Sequence, residues 1–160
     1  AVYGDPTPQD RETLDSVITE LHDLVETVEV SIVSTDPNLE IHFAPVDDFP
    51  SIEPNYVPGN LGFVYIYWDA GGAIYSGRVL ISTTEITQAE RSHLIREELT
   101  QSLGLLNDSW TYHDSIFYQD WTNTPAYAPI DREIIRMLYL PALSPGMSLD
   151  AALDLLRKPA

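Results

Sequence analysis

The hydrophobic patterns along this chain predict an α+β fold built as one domain. Three observations carry that expectation. An amphipathic helical repeat opens the chain, β-branched and aromatic runs joined by a turn occupy its middle, and capped helical segments close it. With 160 residues, 44% of them hydrophobic, the chain has enough apolar material for one core and is too short for two ordinary ones.

Residues 1–9, with Pro6 and Pro8, read as an extended N-terminal arm, and residues 10–160 as the domain. Between Asp10 and Val28, Leu14, Val17, Ile18, Leu21, Leu24 and Val25 recur every three or four positions, the stripe of a half-buried helix ending near Thr27. Val30–Val33 and Leu39–Phe43 are strand-like, parted by the turn signal Asp36-Pro37-Asn38. Pro45–Pro58 carries four prolines, which predicts a long non-helical loop, either functional or mobile. Leu61–Trp68 and Ala73–Ser82 form a hairpin across Asp69-Ala70-Gly71-Gly72. Thr87 and Glu90 make a capping box that opens a helix running to about Leu103, with Gly104 as its left-handed stop. Leu105–Tyr127 is irregular and aromatic. Pro129 starts a helix over Ile130–Tyr139 whose inner face takes Ile134, Ile135, Leu138 and Met137, and Ser148 caps a last short helix through Arg157.

The net charge of −17 comes from 25 acidic against 8 basic residues, with Lys158 the sole lysine. Such a surface repels phosphate backbones and anionic lipid, so no nucleic-acid partner is expected; cations, cationic peptides and basic protein faces are attracted. The absence of cysteine excludes disulfides and thiolate metal sites. No apolar run approaches the roughly 20 residues that span a bilayer, so no membrane span is expected.

The densest motif lies on the central helix, Glu97-Glu98-Leu99-Thr100-Gln101-Ser102-Leu103-Gly104-Leu105-Leu106-Asn107. Its spacing resembles HExxHxxGxxH of the metzincin metallopeptidases, in which two imidazoles at i and i+4 grip zinc and the intervening glutamate polarises water. In that alignment Glu97, Gln101 and Asn107 stand at the three histidine positions, Glu98 at the general base and Gly104 at the turn glycine. Downstream, Ser115-Ile116-Phe117-Tyr118 resembles the methionine-turn with phenylalanine for methionine, and the helix ending Leu138-Tyr139 resembles the closing helix. The resemblance covers Leu61–Tyr139 and implies a zincin-like α+β fold, a small mixed twisted sheet whose edge-strand hairpin packs on helices. More narrowly, EELTQxLGLxND followed by SIF, LY and PGM resembles a bacterial domain family of unknown function found in exported proteins and lipoproteins. That implies an exported chain, periplasmic, envelope-attached or secreted, with a lipid anchor on the precursor as one form of attachment.

The same resemblance implies a non-catalytic pseudopeptidase that binds a peptide or protein partner in a cleft lined by Gly104, Asp108, Trp110, Tyr112, Phe117 and Tyr118. No zinc is expected, because the amide oxygens of Gln101 and Asn107 are poor zinc donors. Calcium wants roughly six to eight oxygens, of which Glu97, Glu98, Gln101, Asn107 and Asp108 supply only part. A shifted zinc set of His93, Glu97 and His113 is the fallback, set against the plainer reading of His93 as a partly exposed helix residue. The competing reading is an unusual hydrolase with Glu98 as general base and a non-standard metal or none. Trp110, Tyr112 and Trp121, in irregular chain, suit a groove as well as a core.

Overall fold

Four strands, β1 (Val2–Gly4), β2 (Leu39–Ala44), β3 (Gly62–Trp68) and β4 (Ile74–Ser82), pair in the order β1-β2-β4-β3 in the computed structural model, which describes residues 1–157. The last three residues of the expected domain, 158–160, lie outside the described residues. β1, β2 and β4 are parallel and β3 is antiparallel to β4. The sheet is small and mixed, with the predicted hairpin at one edge.

The extended arm turns out to be partly a strand: Val2, Tyr3 and Gly4 pair with Ile41, His42 and Phe43. Helix α1 (Pro8–Leu24) starts two residues before its apolar stripe because Thr7 and Asp10 form a capping box, with proline at the start where a missing N–H costs nothing. Val30–Val33 is not a strand. Both edges of β2 are taken by β1 and β4, and the segment instead lines the cavity wall as irregular chain despite its β-branched composition.

Pro45–Pro58 also departs from expectation. It holds a 3-10 turn, Val46–Asp48, and a single helical turn, α2 (Phe49–Ile52), where Pro50 falls in the first turn and gives up no intrahelical bond. The segment packs as a cover on one face of the sheet. Phe49 is fully buried, meets Tyr56 edge-on at 5.2 Å, and Tyr56 meets Phe63 of β3 at 5.4 Å. Glu53, also fully buried, accepts from Asn55, from the Tyr67 hydroxyl and from Arg78 at 3.1 Å.

The opposite face of the sheet is the main core. Ile41, Phe43, Val79 and Ile81 pack with Leu14, Val17 and Leu21 of α1 and with Leu94, Ile95 and Leu99 of α3 (Gln88–Gln101). α3 ends as expected: Gly104 has φ +116°, and its N–H donates to Gln101 O at 2.8 Å. α4 (Pro129–Leu138) and α5 (Leu149–Leu156) complete the order. On α4 only Asp131 and Ile135 are wholly buried, one turn apart. Met137, about 200° round the helix from Ile135, is exposed, contrary to its expected inner placement.

Asp131 is the tie between α4 and the chain before it. Its carboxylate accepts from Ala128 N at 2.8 Å, closing the helix start, and from Ile116 N at 3.1 Å and the Ser115 hydroxyl in the SIF turn. Replacing a buried charged acceptor of several donors costs about 2–4 kcal/mol, so Asp131→Ala is expected to lose that much stability in urea unfolding. Exposed Glu133→Ala on the same helix is expected to lose about 0.5 kcal/mol or less. A loss below about 1 kcal/mol for Asp131→Ala would show that the turn is held by other means.

Candidate functional site

Helix α3 places Glu97 and Gln101 on one face by their i, i+4 spacing, and protein groups engage both. Glu97 Oε2 lies 3.1 Å from His93 Nε2, and His93 Nδ1 lies 3.0 Å from the carbonyl of Thr124. Both imidazole nitrogens are therefore used. His93 is 3% exposed, which corrects its reading as a partly exposed helix residue. Burial opposes its positive charge, but the Glu97 carboxylate and the Thr124 carbonyl outweigh this and raise its pKa. Gln101 Nε2 donates to Asp108 Oδ1 at 2.8 Å. The turn after Gly104 thus delivers Asp108 to the second ligand position. Asn107 is exposed and makes no hydrogen bond to this set among the described residues.

Glu98 lies between α3 and the edge strand. It is 7% exposed and packs on Gly62 of β3, where an added Cβ would stand 2.6 Å from its Oε1. Glycine is needed there for space. Among the described residues no group donates to the Glu98 carboxyl, and Glu97 and Asp108 bring like charge near it. Burial first, then those two neighbours, push Glu98 well above the usual carboxylate range. Asp108, whose side chain is part-exposed, is pushed up to about 6 by burial and by Glu97, against the bond from Gln101.

The irregular segment after Gly104 runs back along α3. Asp108 meets Gln101, Tyr127 OH meets Thr100 Oγ1 at 2.7 Å, the Pro125 carbonyl accepts from Arg96, Thr124 meets His93, and Trp121 Nε1 donates to Glu90 at 3.0 Å. Arg96, buried, also lies over the Tyr127 ring at 4.6 Å and pairs with Glu20 of α1 at 2.8 Å. Phe117 and Ile116 join Leu94 and Leu99 in the core, so the SIF turn sits against this helix as the motif order implies. Tyr118 is half-buried between Trp110, centroids 6.0 Å apart, and His113, 4.5 Å apart. Trp110, Tyr112 and Trp121 are exposed. Sequence reasoning passed over Gly62, Arg96, Tyr127 and Asp131. Only Asp131 carried a local signal, as an acid two residues after Pro129 at a helix start.

The donors at the three ligand positions do not fit zinc. One is a carboxylate already paired with a histidine, one an amide bonded to a carboxylate, and one an exposed amide. His113, of the fallback set, packs on Tyr118, and among the described residues no group of three or more His, Asp or Glu side chains is arranged to hold a metal. Glu97, Glu98 and Asp108 also lie outside the cavity of about 850 Å³ at the hairpin end of the sheet, to which Gly104 alone of the expected cleft residues contributes. What this face offers chemically is a buried carboxyl that holds its proton more tightly than an ordinary glutamate, beside a second carboxyl pushed up to about 6.

A carboxyl whose folded pKa exceeds its unfolded one leaves stability untouched below the unfolded value, 4.5 for Glu98, and costs more as pH rises from there to the folded value. Glu98→Gln, neutral at every pH, is therefore expected to match wild-type stability near pH 4. Near pH 8 it is expected to exceed wild type by on the order of 1 kcal/mol or more in urea melts. Equal stability at the higher pH would mean that Glu98 ionises freely in the fold.

No curated protein matches the chain at a significant level. A family model described as a protein of unknown function, DUF2927, matches residues 1–158, in keeping with the narrower resemblance in the motif order. The chain belongs to that family, DUF2927.

Proposed function

We propose that this chain is a non-catalytic, peptidase-like module that binds an extended basic peptide, or such a segment of a partner protein, along the free edge of β3 beside α3. The observation that carries this reading is the mutual satisfaction of the ligand-position side chains: His93 with Glu97 and Gln101 with Asp108. Polar groups saturated by one another have no need of a metal. In support of a metzincin-like ancestry stand the antiparallel edge strand next to the helix, the left-handed Gly104 and the buried SIF turn.

β3 is the last strand in the order, so its outer edge pairs with no described strand and presents free backbone donors and acceptors. An extended peptide satisfies those groups by adding a strand. The net charge of −17 selects a basic one and disfavours nucleic acid. No described helix is long and apolar enough to cross a membrane. On this reading the module works after export, in the periplasm, on the envelope or outside the cell, and needs no cofactor. The second reading is a hydrolase using Glu98, favoured by the proximity of that carboxyl to Asp108, which titrates at about 6.

Lysine- and arginine-rich decapeptides, titrated by fluorescence anisotropy, are expected to bind the purified chain. N-methylation of alternate backbone nitrogens in the peptide is expected to weaken binding at least tenfold, because it removes the ladder bonds, while Glu98→Gln leaves it unchanged. Peptide cleavage that disappears in Glu98→Gln would replace the binding reading with the hydrolase. The ancestry has its own test. The triple variant Glu97→His, Gln101→His, Asn107→His is expected to take up one zinc by calorimetry where the wild type takes none, since three imidazoles and water complete a tetrahedral ion. A folded triple variant without zinc would mean that the metzincin alignment is misplaced.

A further inference from the structure

At the end of the sheet away from Glu98 lies a cavity of about 850 Å³. Its floor is the core itself: Ile41 and Ile66 of the sheet and Leu99 and Leu103 of α3, with Leu99 only 1% exposed. Its walls are irregular chain from residues 27–38 and 138–147 and the tip of the β3–β4 hairpin. Five large apolar side chains at its lining are exposed: Ile32, Val33, Ile74, Tyr75 and Leu140. Protein interiors are packed to near-crystalline density, and spaces of this size with a few polar groups are the dimensions of small-molecule sites. Scattered exposed apolar residues need no explanation, whereas five gathered at one concavity do.

Several polar groups of the lining are spent within the protein. The Ser102 hydroxyl donates to Leu99 O at 2.6 Å and the Thr27 hydroxyl to Tyr139 O at 2.9 Å, and the Ala1 amino group donates to Leu39 O at 2.7 Å. The charged side chains of the lining are two carboxylates, Glu29 and Asp36; no lysine or arginine contributes among the described residues. An anionic head group would meet these two acids with only the Ala1 ammonium, already bonded to Leu39 O, as a described cation at the lining, in a protein already at −17. A neutral head meets no such penalty.

The geometry points to a binding site for a neutral, elongated apolar small molecule, of the class of a long-chain alcohol or an uncharged acyl ester. The tail fills the space above Leu99 and Leu103, and the head lies at the mouth near Glu29 and Asp36. This site is separate from the β3 edge and does not depend on what binds there.

The test is fluorescence titration with the neutral probe N-phenyl-1-naphthylamine. One saturable site per chain is expected, emptied by 1-dodecanol and at least tenfold less effectively by dodecanoate at pH 8. Ile32→Asp and Leu140→Asp, at exposed rim positions where the fold tolerates a charge, are each expected to weaken the probe at least tenfold with unchanged melting. Glu98→Gln is expected to bind the probe as wild type does. Glu29→Gln with Asp36→Asn (asparagine tolerates the φ of +49° at position 36) is expected to narrow the gap between dodecanol and dodecanoate. Non-saturable probe binding, equal displacement by dodecanoate, or unchanged affinity in both rim variants would overturn the proposal.

Discussion

One buried carboxylate governs where the functional face of this protein ends up. Asp131 sits at the first turn of α4 and has no exposure to solvent, yet it accepts from Ala128, Ile116 and Ser115, which belong to two different stretches of chain. A charged acceptor so placed is stable only while all its donors are present. It therefore fixes the SIF turn to the start of α4 and drives Ile116 and Phe117 into the core beside α3. With that turn anchored, the chain on either side runs along α3 and makes the contacts at Gln101, Thr100, Arg96 and His93.

α3 is in consequence enclosed on several sides, by the sheet, by α1 and by this returning segment. Such a helix cannot be amphipathic in the ordinary way, and its inward polar residues must each find a partner. Arg96 does so with Glu20, Pro125 and the Tyr127 ring. Gln88 and Arg91 do so at Asp10, the buried acid that caps α1. Three groups fall short: Arg91 Nε and Arg96 Nη1 are buried without a described partner, and the Glu98 carboxyl accepts from no described donor, with burial raising its pKa.

The same pairing explains how the acidic surface stays so uncompensated. Five of the seven described arginines, at positions 78, 91, 96, 132 and 136, are in ion pairs with acids of the same chain. Those bridges use up most of the positive charge, so the outward field is that of the remaining carboxylates. The β3 edge and the apolar cavity face that field in different ways: an edge of backbone groups draws in a basic strand, and a cavity mouth with two acids admits a neutral head.

The sequence by itself determined four of the five helices and the hairpin, because each is written in local rules: apolar spacing in α1, the capping box at Thr87, glycine at 104, Pro129 and Ser148 at the last two helix starts, and two β-rich runs about a turn. It also carried the order of the site motif, since i and i+4 on a helix share a face wherever the helix lies. Tertiary structure decided the rest. Val30–Val33 stayed outside the sheet, and residues 2–4 took the edge of β2 that β4 leaves. Pro45–Pro58 became a cover once Glu53 found Arg78 and Tyr67 across the sheet. His93 bonds a carbonyl 31 residues away, and the Glu98 carboxyl fits only because a glycine on a strand 36 positions before it leaves room. Such contacts depend on which surfaces meet, and no spacing within a single element encodes that.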